Sequence, residues 1–179
     1  MIPENANLVY DGEIFKLYTW KQKLFDNSFK TFEAVKRKNS VQLIVVKNNK
    51  IIIYEEQQPN TEKLLTLPGG MVEWEEEPLE AGKRELLEET GLKANFEFYM
   101  KKDFSGKIIF DTHYYICKNP EKITHPNLDA GEKIKTLEVS FDEFIKLTQH
   151  KKFRNKEFQQ HIKILSLENK LEEFKKLLF

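Results

Sequence analysis

The sequence predicts an α/β protein built on a mixed sheet with helices on both faces. The first third contains short apolar runs rich in aromatic and β-branched residues, which favours strands. Segments with helical spacing then alternate with further strand-like runs. This order predicts antiparallel strands at the N-terminus, helices at the C-terminus and a sheet covered on both sides.

Four runs near the N-terminus predict two antiparallel pairs of strands. They cover residues 14–20, 29–35, 41–46 and 51–54. The turn of the first pair lies around Asn27. The turn of the second pair is predicted at Asn48 and Asn49. Asparagine tolerates the left-handed backbone that tight hairpins require. The last two runs are almost continuously apolar, which is typical of strands buried on both faces.

Helix signals begin in the middle of the chain. Pro78 suits a first helical turn and Gly91 a C-cap, so a helix is predicted over 78–90. Ser140 and Glu143 form a capping-box pattern that opens a helix to about residue 149. The tail from residue 155 has apolar residues at helical spacing and should pack on its own domain. The remaining predicted strands cover 64–67, 96–100, 108–117 and 134–139.

Composition excludes several classes of protein. The chain has 179 residues, enough for one domain and a small appended element. Its 29 basic and 29 acidic residues cancel, so no global field steers it to nucleic acid or to an anionic membrane. The sequence shows neither a signal-peptide pattern nor an apolar run long enough to span a membrane, so we expect no targeting to a membrane. The single Cys117 excludes an internal disulfide and is predicted to be a packed strand residue in a cytoplasmic protein.

The predicted helix over 78–90 carries a cluster of carboxylates. Glu85 and Glu89 are four residues apart and share one face, while Glu88 joins its edge. Like charges this close destabilise a bare helix, and hard oxygen ligands suit Mg²⁺ or Mn²⁺. Arg84, four residues before Glu88, can orient a carboxylate. A solvated acidic face is the usual alternative, but the preceding glycine loop and the closing Gly91 favour a metal site.

Residues 70–92 resemble the Nudix box. The family pattern is met at every defined position, namely Gly70, Glu76, Arg84, Glu85, Leu86, Glu88, Glu89, Gly91 and Leu92. One departure is Gly82, where members usually carry alanine. Glycine costs about 1 kcal/mol at such a position, so it either weakens the helix or marks a close packing contact.

The resemblance implies a Nudix-type α/β/α sandwich and a divalent-metal-dependent hydrolase. The implied metal-binding groups are Glu85, Glu88, Glu89 and the carbonyl of Gly69. Glu76 and Gly70 would support these ligands, and Arg84 would orient them. The implied catalytic residues are Glu88, Glu89, Arg84 and Glu132. The metal would polarise the phosphates and activate the attacking water.

The base that activates water has more than one candidate. In related enzymes it is a glutamate of the box or of a distant loop. Glu132 precedes a predicted strand, and its position resembles the late acidic loop of ADP-ribose pyrophosphatases. The alternatives are that Glu132 is an ordinary turn residue or that Asp129, its nearest competitor, takes the role.

The substrate implied by the resemblance is a small nucleoside diphosphate derivative, either ADP-ribose or a related nucleoside diphosphate sugar. Gln57 matches the Gln-Tyr-Arg motif of ADP-ribose pyrophosphatases, but Pro59 stands near the place of the arginine. A proline common beyond the box is also missing. The alternatives are a house-cleaning nucleoside triphosphate pyrophosphatase and a non-catalytic nucleotide-sensing module. No substrate-binding residue is assigned.

The predicted organisation has three parts. Residues 1–40 form N-terminal strands, 41–150 form the Nudix core and 151–179 form a C-terminal helix that packs on it.

Similarity to ADP-ribose pyrophosphatases, which often pair through their N-terminal strands, predicts a homodimer formed by residues 1–40. Light scattering at micromolar concentration should then give about twice the mass of the chain, which is 21.3 kDa. A monomer mass would contradict this prediction.

Overall fold

A computed structural model describes residues 2–128 and 130–179. Within these residues the strands are β1 (Asn7–Asp11), β2 (Phe15–Lys23), β3 (Phe29–Arg37), β4 (Ser40–Lys47), β5 (Lys50–Gln57), β6 (Leu64–Thr66), β7 (Leu92–Phe104), β8 (Ile108–Lys122) and β9 (Lys133–Val139). The helices are α1 (Pro78–Thr90), α2 (Phe141–Thr148), α3 (Lys156–Leu167) and α4 (Leu171–Leu178).

The long strand β8 organises a mixed and curled sheet. Its first residues pair with β3 in parallel, and its middle pairs with β4 in parallel. Along its other edge it pairs with β7 in antiparallel fashion. Strand β5 joins β4, β6 and β9, all antiparallel, while β1–β3 form an antiparallel extension. The predicted mixed sheet with N-terminal antiparallel strands is confirmed.

The central strands are buried on both faces, as their continuous apolar runs predicted. On β4, Leu43 and Val45 pack with Leu86 of α1. Ile44 points the other way and packs with Phe144 of α2. Strand β5 alternates in the same manner. One face of this region therefore carries α1, and the opposite face carries the C-terminal helices.

Local sequence signals place several element ends. Asn48 and Asn49 adopt φ of 51° and 58° in the β4–β5 hairpin. Gly91 caps α1 with φ of 69°, where an added Cβ would lie 2.1 Å from the carbonyl oxygen of Thr124. Ser140 opens α2 through the predicted capping box. These turns and caps agree with the sequence predictions.

Three features differ from the predictions. Strand β1 was not predicted, because its apolar run, Leu8 to Tyr10, is only three residues long and does not alternate with polar residues; all five residues of the strand are exposed. Strands β7 and β8 are longer than the predicted 96–100 and 108–117, since the two strands pair with each other as far as Leu92 and Lys122. The tail forms two helices rather than one. Asn169 separates them with φ of 58°, a left-handed conformation that stops α3.

The C-terminal helices pack against the sheet through fully buried side chains. Phe158 and Ile162 of α3 join Phe174 and Leu178 of α4 in one core cluster. The division of the chain at residues 40 and 150 stays a prediction, as does pairing through β1–β3. In the part of the chain that the structure describes, no helix is long and apolar enough to cross a membrane.

Cys117 is buried in the middle of β8 and has no solvent exposure. Burial raises the pKa of its thiol, since the thiolate would lose its hydration there. The prediction of a packed strand cysteine is confirmed.

Candidate active site

A cavity of about 490 Å³ opens between α1, the ends of the central strands, and the segments before β9 and α3. Its acidic lining residues are Glu56, Glu73, Glu85, Glu88, Glu89 and Glu132. Its arginines are Arg37, Arg84 and Arg154. Every site residue predicted from the sequence lines this cavity except Glu76, and Gly69 and Gly70 form part of its wall.

The two loop glycines bring the backbone close to β4 and to α1. Val41 donates its N–H to the carbonyl of Gly70 at 2.9 Å. Gly69 has φ of 128°, and a Cβ there would lie 2.3 Å from the carbonyl oxygen of Val41. At Gly70 a Cβ would lie 2.4 Å from Oε1 of Glu85. Only glycine therefore leaves room for both the strand and the Glu85 carboxylate.

Glu85 and Glu89 form the less exposed part of the acidic cluster. The side chain of Glu85 is only 16% exposed. Burial is the main cause that raises the pKa of Glu89 well above its usual range, and the charge of Glu85 acts in the same direction. The N–H of Gly69 donates to Oε2 of Glu89 at 3.1 Å, which partly offsets these effects. The two carboxylates therefore share a poorly hydrated site.

Arg84 ties the box loop to α1. Its Nε and Nη2 donate to the two oxygens of Glu76 at 3.1 and 3.0 Å. Its Nη1 donates to Glu85 at 2.9 Å and to Glu88 at 3.3 Å, and Nη2 also reaches the carbonyl of Met71 at 3.0 Å. The guanidinium lowers the pKa of Glu76. The N–H groups of Arg84 are therefore engaged in hydrogen bonds within the protein.

The N-terminal strands hold the box loop from the other side. The buried Lys38 forms an ion pair with Glu73. Trp74 donates its indole N–H to the carbonyl of Glu13 at 3.0 Å, and Nζ of Lys16 lies 4.7 Å from its ring centroid. Trp74, which borders the acidic loop in sequence, faces these strands and does not line the cavity.

The loop before β9 brings Glu132 to the cavity. Glu132 is partly buried, and its charge contributes to the raised pKa values of both Glu85 and Glu89. It is therefore close enough to act on the same small molecule as the box carboxylates. Asp129, its predicted competitor, lies outside the described residues.

The donor set fits a hard divalent cation. Within residues 2–128 and 130–179, no lysine, arginine or histidine forms an ion pair with Glu89, although other carboxylates surround it. Glu85 and Glu89 are only partly exposed, and carboxylate oxygens are the ligands that Mg²⁺ and Mn²⁺ prefer. The same described residues contain no group of three acidic, histidine or cysteine side chains arranged to hold a metal as they stand. Glu88 is instead turned towards Arg84.

The sequence of residues 36–161 matches the NUDIX domain. The chain belongs to the Nudix family. Nudix hydrolases generally use divalent metals, which agrees with the carboxylate-rich cavity. The predicted family, fold class and enzyme class are confirmed.

Two curated relatives and one solved structure are similar along nearly the whole chain. The methanol dehydrogenase activator of Bacillus methanolicus is 26% identical over 171 residues, covering 91% of each chain. The ADP-ribose pyrophosphatase of Bacillus subtilis (strain 168) is 25% identical over 172 residues, covering 92% of this chain and 91% of the relative. The crystal structure of an ADP compounds hydrolase superposes with a TM-score of 0.71 at 15% identity, covering 93% and 95%. That structural likeness concerns the fold.

Four charged residues that line the Nudix cavity were not predicted as site residues, namely Arg37, Glu56, Glu73 and Arg154. Arg37 reaches it from the end of β3, and its guanidinium carbon lies 4.7 Å from the ring centroid of Phe110. Arg154 reaches it from the segment before α3 and binds the buried Glu56. One signal was present in the sequence: the chain has 26 lysines but only three arginines, and all three line this cavity.

Gly82 marks a close packing contact within the Nudix box. A Cβ at this position would lie 3.2 Å from Phe96 and 3.3 Å from both Leu43 and Val41. The glycine thus allows α1 to lie against β4 and β7. Of the two interpretations of this departure from the family pattern, the packing contact agrees with the structure.

Gly70→Ala should lower hydrolysis while leaving the fold intact. The new methyl group would meet the end of the Glu85 side chain, which can move aside without disturbing the core. Displacement of Glu85, a predicted metal ligand, by about 1 Å can cost about 100-fold in rate. The measurement is kcat for hydrolysis of nucleotide derivatives beside the melting temperature. Gly106→Ala is the control, because its Cβ meets no atom within 4 Å. Equal activity in the two variants would contradict the assignment of Glu85.

Proposed function

We propose that this Nudix hydrolase cleaves the diphosphate bond of ADP-ribose or a related nucleoside diphosphate sugar, using Mg²⁺ or Mn²⁺. The observation that carries the proposal is the partly buried pair Glu85 and Glu89 in a cavity that all three arginines of the chain also line. Partly buried carboxylates favour a cation, and arginines favour phosphate. The likeness to the Bacillus subtilis ADP-ribose pyrophosphatase supports this substrate class.

The cavity suits a nucleotide-sized ligand. Its volume of about 490 Å³ lies in the usual range for small-molecule sites. Gln42, Gln58 and Asn127 add neutral hydrogen-bonding groups to the charged lining. Such groups can bind the hydroxyls of ribose or the edge of a base without adding charge.

We propose that Glu85, Glu88 and Glu89, with the carbonyl of Gly69, hold the cation. When bound, a divalent cation would neutralise the phosphate oxygens and lower the pKa of the attacking water. Glu88 is the most exposed of the three, and an exposed ion pair such as Glu88–Arg84 contributes little stability, so its carboxylate can be shared.

The remaining residues position the reaction. Arg84, fixed by Glu76, orients Glu85 and Glu88. Glu132 accepts a proton from the attacking water while the oxygen of that water forms a bond to one phosphorus. The bridging P–O bond breaks, and the products are a nucleoside monophosphate and a sugar phosphate.

Arg37 is a candidate to bind one end of the anionic substrate. It is partly desolvated, which lowers its pKa, and its contact with Phe110 restrains the guanidinium. Among the described residues it forms no salt bridge or side-chain hydrogen bond. A restrained, unpaired guanidinium beside a cavity favours binding of a phosphate.

The methanol dehydrogenase activator and the ADP-ribose pyrophosphatase are almost equally similar in sequence to this chain, at 26% and 25% identity. Their names give different functions, so the substrate requires a direct test. Purified protein would be incubated with Mg²⁺ or Mn²⁺ and ADP-ribose, nucleoside diphosphate sugars, dinucleoside polyphosphates or nucleoside triphosphates. Chromatography should show AMP and ribose phosphate from ADP-ribose. Release of inorganic pyrophosphate from triphosphates would favour the house-cleaning alternative. Nucleotide binding without turnover would favour a sensing module.

Glu89→Gln should abolish most of the response to the metal. Mg²⁺ should raise the melting temperature of the wild type, because a ligand that binds only the folded state stabilises it. The variant should lose this shift and most of the turnover. Glu80→Gln is the matched control, since Glu80 lies exposed on the same helix and pairs with Lys83. A Glu89→Gln variant with full activity and the full Mg²⁺ shift would show that the metal assignment is wrong.

Glu132→Gln should separate proton transfer from metal binding. Loss of a general base lowers kcat by about 10²- to 10⁴-fold. The Mg²⁺-induced rise in melting temperature should remain, because the proposed ligands on α1 are unchanged. The measurement is kcat and KM beside thermal unfolding. A kcat equal to that of the wild type would identify Glu132 as an ordinary turn residue.

A further inference from the structure

Arg154 is held at the edge of the cavity by its two neighbours in sequence. Phe153 is fully buried in the core. The side-chain oxygen of Asn155 accepts the N–H of Leu67 at 2.9 Å, and the backbone N–H of Arg154 donates to the carbonyl of Leu65 at 2.7 Å. The Arg154 backbone is therefore fixed against β6 whatever its side chain contacts.

The guanidinium of Arg154 is oriented by a buried carboxylate. Nη1 donates to both oxygens of Glu56 at 2.9 Å each. The side chain of Glu56 is only 8% exposed, whereas that of Arg154 is 39% exposed. Among the described residues these are the only side-chain hydrogen bonds of Arg154, so Nε and Nη2 keep donors for a further acceptor.

The three arginines of the cavity differ in what they can offer a ligand. Arg84 directs its donors to Glu76, Glu85 and the box loop. Arg154 alone combines an orienting carboxylate with guanidinium nitrogens that make no hydrogen bond within the described structure. The neighbouring Asn155 donates its side-chain N–H to Gln42 of β4 at 2.7 Å, so Arg154 lies at the wall of the cavity that Gln42 also lines.

We propose that Arg154 binds phosphoryl oxygens of the substrate's diphosphate, with Glu56 holding its guanidinium in position. This assignment rests on the proposed function. A guanidinium can present two parallel N–H groups to a phosphate, which an ammonium cannot do. This difference explains an arginine here in a chain that uses lysine at 26 of its 29 basic positions.

The ion pair with Glu56 could instead serve only to fasten α3. Phe153 and Asn155 already fasten this segment through buried contacts. A fastening role also predicts a different outcome. Loss of the ion pair would then lower the stability of the fold and would not weaken the binding of diphosphate ligands in particular. The two roles are therefore separable by measuring binding and stability on the same variants.

The test is calorimetric titration with α,β-methylene-ADP, a diphosphate that resists hydrolysis at that position, in the presence of Mg²⁺. Arg154→Gln should weaken its binding by about tenfold or more. Arg154→Lys should recover only part of the loss, because charge returns without the planar fork. In steady-state assays with ADP-ribose, KM should rise more than kcat falls. Binding of adenosine, which has no phosphate, should not change.

Two further variants control for charge and for folding. Lys152→Gln removes one positive charge from the same segment, but Lys152 pairs with the exposed Glu62 and does not line the cavity. Its affinity for α,β-methylene-ADP should equal that of the wild type. The double variant Glu56→Gln/Arg154→Gln removes both charges, so no unpaired carboxylate stays buried. It should keep a near-native melting temperature and still bind the diphosphate weakly.

The outcomes separate this assignment from the proposed function. A wild type that hydrolyses ADP-ribose, beside an Arg154→Gln variant with unchanged diphosphate affinity, would overturn the assignment of Arg154 alone. An equal loss of affinity for adenosine and for α,β-methylene-ADP would also overturn it, since Arg154 would then shape the cavity. A wild type that neither binds nor hydrolyses any nucleoside diphosphate would overturn both proposals.

Discussion

The arrangement of the active-site cavity depends on the contacts of Arg84. This guanidinium joins Glu76 of the box loop to Glu85 on α1. One positively charged side chain therefore holds together two acidic segments that would otherwise repel each other. The surrounding carboxylates raise its pKa, and Arg84 therefore stays charged under all ordinary conditions. A lysine could neutralise the same charge but could not contact both oxygens of Glu76 and a second carboxylate in one plane.

Strand β4 supplies the rigid support for this arrangement. Its first residues bond the loop around Gly69 and Gly70, while its apolar face packs against α1. Gly82 brings the helix close to that face, and Gly70 leaves the space into which Glu85 projects. Loop and helix are thus positioned by the same strand. The carboxylates of Glu85 and Glu89 lie against the glycine backbone because packing of α1 on β4 holds them there, despite their mutual repulsion.

Features that depend on neighbouring residues could be predicted from the sequence. The Asn48–Asn49 turn, the Gly91 cap and the spacing of Glu85 and Glu89 are examples, because each follows from local backbone geometry. Contacts between distant segments could not be predicted. Glu56 and Arg154 are 98 residues apart, and neither position carries a pattern that indicates its partner. The break between α3 and α4 was also missed, since the apolar spacing continues across it.

The scarcity of arginine is a sequence signal from which the part of the site beyond the Nudix box could have been found, although no prediction was drawn from it. Six glutamates and three arginines line the cavity. An anionic diphosphate would meet net repulsion there without further positive charge, so the proposed cation and the substrate should bind cooperatively. Within such an acidic site, a basic side chain is useful only if its direction is fixed, because a mobile ammonium would pair with the nearest glutamate. Glu56 gives Arg154 that fixed direction, and the planar guanidinium then has donors left for phosphate. The same requirement applies to the cation, which the box carboxylates and the glycine backbone would hold in one place.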